Sequence, residues 1–233
     1  MKLIDLLSPR LRFAADSVRD GAVFADVGTD HAKLPIALVE AGRVSCAIAS
    51  DIGEQPAAIA AARIAEKGFS DKIRVLVCDG LAPLARFAPT DIAVCGMGGE
   101  TIVGILAAAA FIRDARVRLI LQPMTDFSML REYLAAQGFA VIDEEIVLSE
   151  GRMYQCLCAA YTGESYTLTP LEAELGRLNI ERRTPLFLRY VRRRKSIVEK
   201  QVAGKRLADA DAAAELLLLD GYNRILEGKD ETA

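Results

Sequence analysis

Polar residues and glycines follow four short apolar segments, and their types suit the binding of a nucleoside. The first segment ends in Asp26-Val27-Gly28-Thr29-Asp30-His31, and the second ends at Asp51. The third ends in Asp79-Gly80 and the fourth in Gly96-Met97-Gly98-Gly99. One carboxylate can accept both ribose hydroxyls, another can accept from an adenine amine, and glycines let a ligand approach the backbone. The four segment ends together predict a nucleotide-type site.

The elements that position these residues read as a parallel sheet covered by helices, because each apolar segment is short, apolar on both faces and followed by a helix-like stretch. The predicted strands are 22–26, 44–50, 73–78, 91–95 and 117–121. The predicted helices are 8–19, 34–41, 55–67, 100–110 and 127–137. Two further strand-like runs, 139–149 and 153–161, are joined by Glu150-Gly151-Arg152 and predict an antiparallel hairpin at the end of the sheet.

Composition excludes several classes of protein and of site. The chain has 233 residues, 52% of them apolar, which is enough to bury a large core and excludes a disordered protein. No apolar run reaches the length of a membrane span and no signal peptide is visible, so we expect a cytoplasmic protein without membrane contact. The single histidine, His31, argues against a histidine-rich metal site and a serine–histidine triad, so no metal is expected. The five cysteines form no CxxC pair and are interpreted as small core residues.

The region after residue 168 has a purely helical texture and carries an unusual charge. Between Arg182 and Arg206 there are ten Lys or Arg and one acid, Glu199, in a chain whose net charge is −3. This distribution suggests a polyanionic partner, although a solvated helix face is the alternative. Two apolar stripes predict an antiparallel helical hairpin. Their residues are Phe187, Val191, Val198 and Val202 in the first and Leu216, Leu219, Tyr222 and Leu226 in the second.

A parallel sheet that ends in an antiparallel hairpin resembles the class I S-adenosylmethionine (SAM) methyltransferases. The motifs GAVFADVGTDHAKLP, AIASDIGEQPAAIAAARIAEKG, VCDGL, DIAVCGMGGETIVGIL, LILQP and EGRMYQCL narrow the likeness. They resemble the bacterial tRNA adenine-N1 methyltransferases of the TrmK family, over about residues 8–160. The resemblance implies a Rossmann-like methyltransferase domain at 1–162 and a helical coiled-coil, tRNA-binding domain at 163–233. It also implies methylation of N1 of adenine 22 in the D-arm of tRNA, with SAM as the cofactor.

The resemblance also assigns residues. Those expected to bind the cofactor are Asp26, Gly28, Thr29, Asp51, Ile52, Asp79, Gly80, Gly96, Met97, Gly98 and Gly99. Asp51 stands where Glu is commoner, and Met124 follows Gln122-Pro123 where Asn is frequent. The catalytic candidates are Asp30, which could stabilise the cationic product, and His31, which either assists or only caps a helix. The residues expected to contact RNA are Arg10, Arg12, Arg189, Arg192, Arg193, Arg194 and Lys195.

Three rival functions remain open on the sequence. A SAM-dependent enzyme could act on another RNA, a protein or a small molecule, although the basic tail argues against the last two. An NAD-dependent dehydrogenase is disfavoured because the chain has no GxGxxG motif and carries the end hairpin. A non-catalytic RNA-binding module would bind tRNA without the cofactor. The oligomeric state and the tRNA species are not predicted.

Overall fold

A computed structural model describes residues 2–228 and divides the chain into two compact units at the junction of Thr167 and Leu168. The predicted boundary lies earlier, after residue 162. The first unit extends further because the segment after the last strand folds back on it. The amide of Thr162 donates to the carbonyl of Gly138 at 2.9 Å, and that of Tyr166 donates to Ala135 at 3.2 Å.

The first unit is an α/β unit whose elements alternate along the chain. They are α1 (Pro9–Ser17), β1 (Phe24–Val27), α2 (Lys33–Glu40), β2 (Ala47–Asp51), α3 (Glu54–Glu66), β3 (Ile73–Val77), β4 (Asp91–Met97), α4 (Gly99–Ala107), β5 (Arg118–Pro123), α5 (Phe127–Ala136), β6 (Phe139–Ser149) and β7 (Arg152–Tyr161). Short 3-10 turns cover Leu3–Leu6, Asp30–Ala32, Ala82–Phe87 and Ala110–Ile112. Each predicted strand and helix is present, with ends that shift by a few residues.

The sheet has seven strands in the order β3-β2-β1-β4-β5-β7-β6. The first five are parallel, whereas β7 pairs antiparallel with β5 and β6 pairs antiparallel with β7. The predicted parallel sheet with an antiparallel end hairpin is therefore confirmed. Strand order reverses between β1 and β4, and in such sheets the crevice for ligands opens beyond the carboxyl ends of the strands at that point.

The central strands β1, β2, β4 and β5 are mostly buried on both faces, which explains why they are predominantly apolar. On one face, Phe24 of β1 packs with Ala14, Ile36 and Ile64 from the first three helices. On the other face, residues of β4 and β5 pack with Leu106 of α4 and with α5. Cys156 and Cys158 are buried, as predicted, and desolvation raises the pKa of Cys158 to about 11. The prediction of a core position is wrong for Cys46, which is exposed, and Cys78 and Cys95 are half-buried.

The second unit is helical, with α6 (Pro170–Leu175), α7 (Arg177–Arg182), α8 (Pro185–Leu207) and α9 (Ala213–Glu227). Thr169 and Glu172 form a reciprocal capping box at the start of α6, and Thr184 caps α8 by accepting from the amide of Phe187 at 3.2 Å. Helices α8 and α9 pack together. None of the helices within residues 2–228 combines the length and the hydropathy that crossing a membrane requires.

The two predicted apolar stripes of this unit have different outcomes. The stripe of α8 is confirmed, because Phe187, Val191, Val198 and Val202 are all buried. The stripe of α9 is partly wrong, since Leu216 is exposed and Ile225 is buried beside Tyr222. Leu171 packs so closely on Gly221 that a Cβ there would lie 2.8 Å from it. This contact with α6 fixes which side of α9 faces inward.

Candidate functional site

The turn after β1 places a buried carboxylate at the switch point of the sheet. Asp26 is 6% exposed, and the Thr29 hydroxyl donates to its Oδ2 at 2.7 Å. The amides of Gly28 and Thr29 both donate to the carbonyl of Ser50, at 2.8 and 3.0 Å, which ties the turn to β2. Burial raises the pKa of Asp26 to about 6, partly offset by the Thr29 hydrogen bond and reinforced by Asp30 and Asp51. A buried acid among other acids suits a positively charged ligand group.

The next residues carry backbone strain. His31 and Ala32 adopt left-handed conformations with φ of 61° and 50°. Such conformations are costly for residues other than glycine and often lie at functional sites. His31 Nε2 lies 3.2 Å from Asp30 Oδ1, and the Asp30 side chain is 81% exposed. The strained turn therefore presents Asp30 outward, beside the buried Asp26.

The acids after β2 and β3 lie at the same edge of the sheet. Asp51 ends β2, and its Oδ1 accepts from the amide of Gly53 at 2.9 Å, an Asx turn that leads into α3. The amide of Cys78 donates to the Asp51 carbonyl at 2.9 Å, so Asp79 follows directly beside it. Both Asp79 and Ile52 are exposed.

A β-bulge shapes the end of β4. The register with β5 shifts between Cys95 and Met97, and the extra residue, Gly96, has φ of +80°. The Met97 side chain then lies over Gly28, where a Cβ would be only 2.2 Å from its Cε. Bulge and methionine together form one wall beside the Asp26 turn.

The two glycines after the bulge pack against another loop. The amide of Gly99 donates to the carbonyl of Thr125 at 3.0 Å, and a Cβ at Gly99 would lie 2.4 Å from the Asp126 carbonyl oxygen. A Cβ at Gly98 would lie 3.2 Å from Thr125 Oγ1. Close approach of the turn after β5 therefore requires glycine at position 99.

These turns enclose a cavity of about 410 Å³ at the carboxyl edge of the sheet. Seven of the residues predicted to bind the cofactor or to act in catalysis line it: Asp26, Gly28, Thr29, Asp30, Asp51, Gly96 and Met97. The other predicted cofactor or catalytic residues are not in its lining; they are His31, Ile52, Asp79, Gly80, Gly98 and Gly99. A larger cavity of about 650 Å³ lies by the start of β2 and β3, near Cys46, Lys72 and Phe87, and collects none of the predicted site residues.

The lining includes residues that the sequence did not assign to the cofactor or to catalysis. Arg10, predicted as an RNA contact, reaches the cavity from α1, and Lys33, Met124 and Tyr154 also line it. Tyr154 lies in the EGRMYQCL strand, whose likeness to the family was the available signal. No pattern of spacing connects Arg10 with the strand ends, because α1 precedes the whole sheet.

The residues of α8 that were predicted to contact RNA point in different directions. Arg189, Arg192 and Arg193 are exposed on one side of α8, and the exposed Lys200 follows on the same side. We call these four residues the basic face. Arg194 points inward and forms an ion pair with Glu174 of α6 at 2.6 Å, and Lys195 lies 3.8 Å from Glu199. In the first unit, Arg12 is bound by Asp16 at 2.9 Å.

The cavity fits SAM by the chemistry of its side chains. Asp26 offers negative charge to an amino acid ammonium group, Asp51 offers oxygens to hydroxyls, and Gly96 leaves backbone uncovered. Within the part of the chain that the structure describes, no group of three or more His, Cys, Asp or Glu could hold a metal ion.

Comparison with known proteins agrees with this geometry. Residues 7–157 match a family described as a methyltransferase domain. A Bacillus subtilis tRNA (adenine(22)-N(1))-methyltransferase is 37% identical over 153 residues, which are 66% of this chain and 64% of that enzyme. The aligned region thus spans somewhat less than two thirds of that relative.

Solved structures extend the likeness over both units. A Streptococcus pneumoniae protein, a putative tRNA (m1A22) methyltransferase in complex with SAM, has a TM-score of 0.83 and 29% identity, with 94% of this chain and 99% of that chain covered. The B. subtilis m1A22 tRNA methyltransferase TrmK has a TM-score of 0.78 and 29% identity, with 95% and 96% covered. The predicted resemblance to TrmK is confirmed, and the chain belongs to the methyltransferase-domain family.

Proposed function

We propose that this protein transfers the methyl group of SAM to N1 of an adenine in tRNA, at position 22 of the D-arm. The observation that carries the proposal is the meeting of Asp26, Asp30 and Asp51 in one cavity beside the bulge at Gly96. The similarity to the m1A22 enzymes supports the choice of substrate. A tRNA substrate also agrees with the cytoplasmic localisation expected from the sequence, which stays a prediction.

Bound SAM supplies a methyl group that is already activated by its sulfonium. The acceptor N1 of adenine has a free lone pair, so no residue has to remove a proton before the attack. The protein must therefore align two reactants and stabilise the positive charge that the base acquires. Holding them in position can supply about 7–11 kcal/mol of the barrier.

Asp30 is the residue that we assign to the charge of the base. It lies in the cavity next to Asp26, its carboxylate is exposed, and the strained turn at His31 holds it there. Its carboxylate can accept from the N6 amine of adenine and favours the cationic product. His31 positions Asp30 through their 3.2 Å contact.

The remaining predicted residues keep their proposed roles at the edge of the same site. Asp79 and Gly80 follow β3 next to Asp51, where adenine of the cofactor would lie beyond the ribose. Ile52 is exposed there and offers an apolar surface to that base. Gly98 and Gly99 act indirectly, by letting the turn at Thr125 close against β4.

The basic face of α8 is proposed to bind tRNA phosphates. N1 lies on the pairing edge of adenine, so the base has to leave its place in the folded RNA at a cost of a few kcal/mol. Contacts between cationic side chains and phosphates can supply this energy. Arg189, Arg192 and Arg193 are suited to it, since their guanidinium groups are exposed.

The decisive experiment is incubation with labelled SAM and an unmodified tRNA transcript, followed by mapping of the modified nucleoside. We expect one N1-methyladenosine at position 22 and none in a transcript that carries guanosine there. Label in a different nucleoside, in protein or in a small molecule would overturn the substrate assignment. Binding of tRNA without any binding of S-adenosylhomocysteine would instead identify an RNA-binding module.

A further inference from the structure

The side chain of Arg10 lines the cavity and is held there by neutral groups. Its Nη1 donates to Oε1 of Gln122 at 3.2 Å, and Gln122 is 2% exposed. Its guanidinium carbon lies 5.9 Å from the ring centroid of Tyr154. A Cβ at Gly96 would lie only 3.4 Å from Nη1, so the bulge makes room for this arginine.

Arg10 has no anionic partner among residues 2–228. Arg12, two positions further along α1, has its charge bound by Asp16. Arg10 instead turns towards the interior. Burial raises the pKa of the Cys95 thiol there, and the positive charge of Arg10 partly offsets this shift. A guanidinium that is fixed by a buried amide and an aromatic ring, but has no carboxylate, is preorganised for an anionic ligand.

The charges of the cavity are distributed over two sides. Asp26 and Asp51 come from the ends of β1 and β2, whereas Arg10 contacts groups from β4, β5 and β7. An amino acid carries an ammonium and a carboxylate on one carbon atom. A site that binds both groups therefore needs an anionic and a cationic side chain in the same cavity. Lys33 is the other cation in the lining, but it is exposed and no hydrogen bond fixes it.

Adenine is an unsuitable partner for Arg10. The methylated base is a cation, and a neighbouring guanidinium would oppose its formation. Two anions remain in a complex with SAM and tRNA: the carboxylate of the cofactor and an RNA phosphate. The contact with the buried Gln122 holds the guanidinium against the sheet in the cavity lining, where a small carboxylate fits better than a polymer backbone.

We propose that Arg10 binds the carboxylate of the methionine moiety of SAM and so selects cofactors that carry it. The proposal rests on the proposed function, because it takes the cavity as the SAM site. It moves Arg10 from the tRNA interface, where the sequence placed it, to the cofactor.

The test compares two ligands in calorimetric titrations of the full-length protein: S-adenosylhomocysteine and its decarboxylated analogue. The unaltered protein should bind the first about 10- to 100-fold more tightly, the range of a charge-assisted hydrogen-bonded pair. Arg10→Gln should weaken only the first ligand, so that the ratio of the two dissociation constants falls to about 1. Arg12→Gln is the matched control on the same helix and should leave both affinities unchanged.

The outcomes separate the proposal from the proposed function. The proposal is overturned if the ratio of the two dissociation constants is the same in Arg10→Gln as in the unaltered protein. If the KM for tRNA also rises, the residue would be identified as a phosphate contact. If Arg10→Gln melts early, Arg10→Lys decides, because it keeps the charge, loses the planar fork and should give an intermediate ratio. Failure of the unaltered protein to bind S-adenosylhomocysteine would instead refute the SAM site itself.

Discussion

The two units of the chain use their charged residues in opposite ways. In the α/β unit, Asp26 and Arg10 are drawn into a cavity and fixed by hydrogen bonds from neighbouring elements. In the helical unit, Arg189, Arg192 and Arg193 are exposed along α8. The first arrangement suits a small ligand bound in one orientation, and the second suits a polyanion bound by many weak contacts. A count of charges cannot tell these arrangements apart.

The largest expected effect is the loss of turnover in variants of Asp30, which lies in the cavity of the α/β unit. Asp30→Ala and Asp30→Asn should each lower kcat by about 100-fold, the loss typical of one preorganised electrostatic group. Affinity for S-adenosylhomocysteine should stay near normal, because the proposed partner of Asp30 is the target base and not the cofactor. Single-turnover rates and calorimetry provide the measurements. Near-normal turnover in both variants would remove Asp30 from the mechanism, and loss in Asp30→Ala alone would assign it a hydrogen-bonding role.

Reversing the charge of the basic face tests whether the helical unit binds tRNA. Arg192→Glu combined with Arg193→Glu should weaken tRNA binding by at least about tenfold and lower the slope of log K against log salt by about 1.4–1.8, the contribution of two phosphates. The cofactor affinity should not change. Lys67→Glu with Arg116→Glu is a control that alters the net charge equally at exposed sites of the other unit. Equal losses in both double variants would show only a general effect of net charge.

The pH dependence of cofactor binding should come from Asp26. Because burial raises its pKa to about 6, the carboxylate that attracts an ammonium group is present above pH 6 and is lost below it. Affinity for S-adenosylhomocysteine should therefore fall by up to about tenfold per pH unit below 6. Asp26→Asn should bind weakly with little change over this range. Parallel curves for both proteins would show that the pH dependence does not come from Asp26.

The raised pKa of Asp26 has the opposite effect on the stability of the ligand-free protein, which decreases as the pH rises. The pKa of the carboxyl is near 3.8 in the unfolded chain and about 6 in the folded protein. Asp26 therefore binds more protons in the folded state, and its contribution to stability is lost as pH rises from about 4 to 6. Thermal melts of the protein and of Asp26→Asn across this range should diverge at the higher pH, with the variant more stable.

Two glycines of α4 offer the smallest and most local test. Gly99→Ala should lower the free energy of unfolding by about 1–3 kcal/mol, because its Cβ would lie 2.4 Å from a backbone oxygen. Gly104→Ala, where nothing lies within 4 Å, should raise it by up to about 1 kcal/mol through helix propensity. Denaturant titrations measure both changes. Equal effects would mean that the turn at Thr125 is not packed against β4 as described.

The sequence by itself determined the sheet and the acids at its carboxyl edge. Short strands that are apolar on both faces can only lie between helices, and a residue that follows such a strand lies at a known edge. Asp26, Asp30 and Asp51 could therefore be grouped before any coordinates were known. The confirmed stripe of α8 was predictable for the same reason, since helical periodicity is local.

Only the tertiary structure decided what depends on packing between distant segments. The place of Arg10 depends on Gln122, Tyr154 and the bulge at Gly96, none of which is near it in the chain. Arg194 and Arg193 are adjacent in sequence, yet one pairs with Glu174 and the other is exposed. Charge and residue type are properties of the sequence, whereas the direction of a side chain follows from what packs against its element.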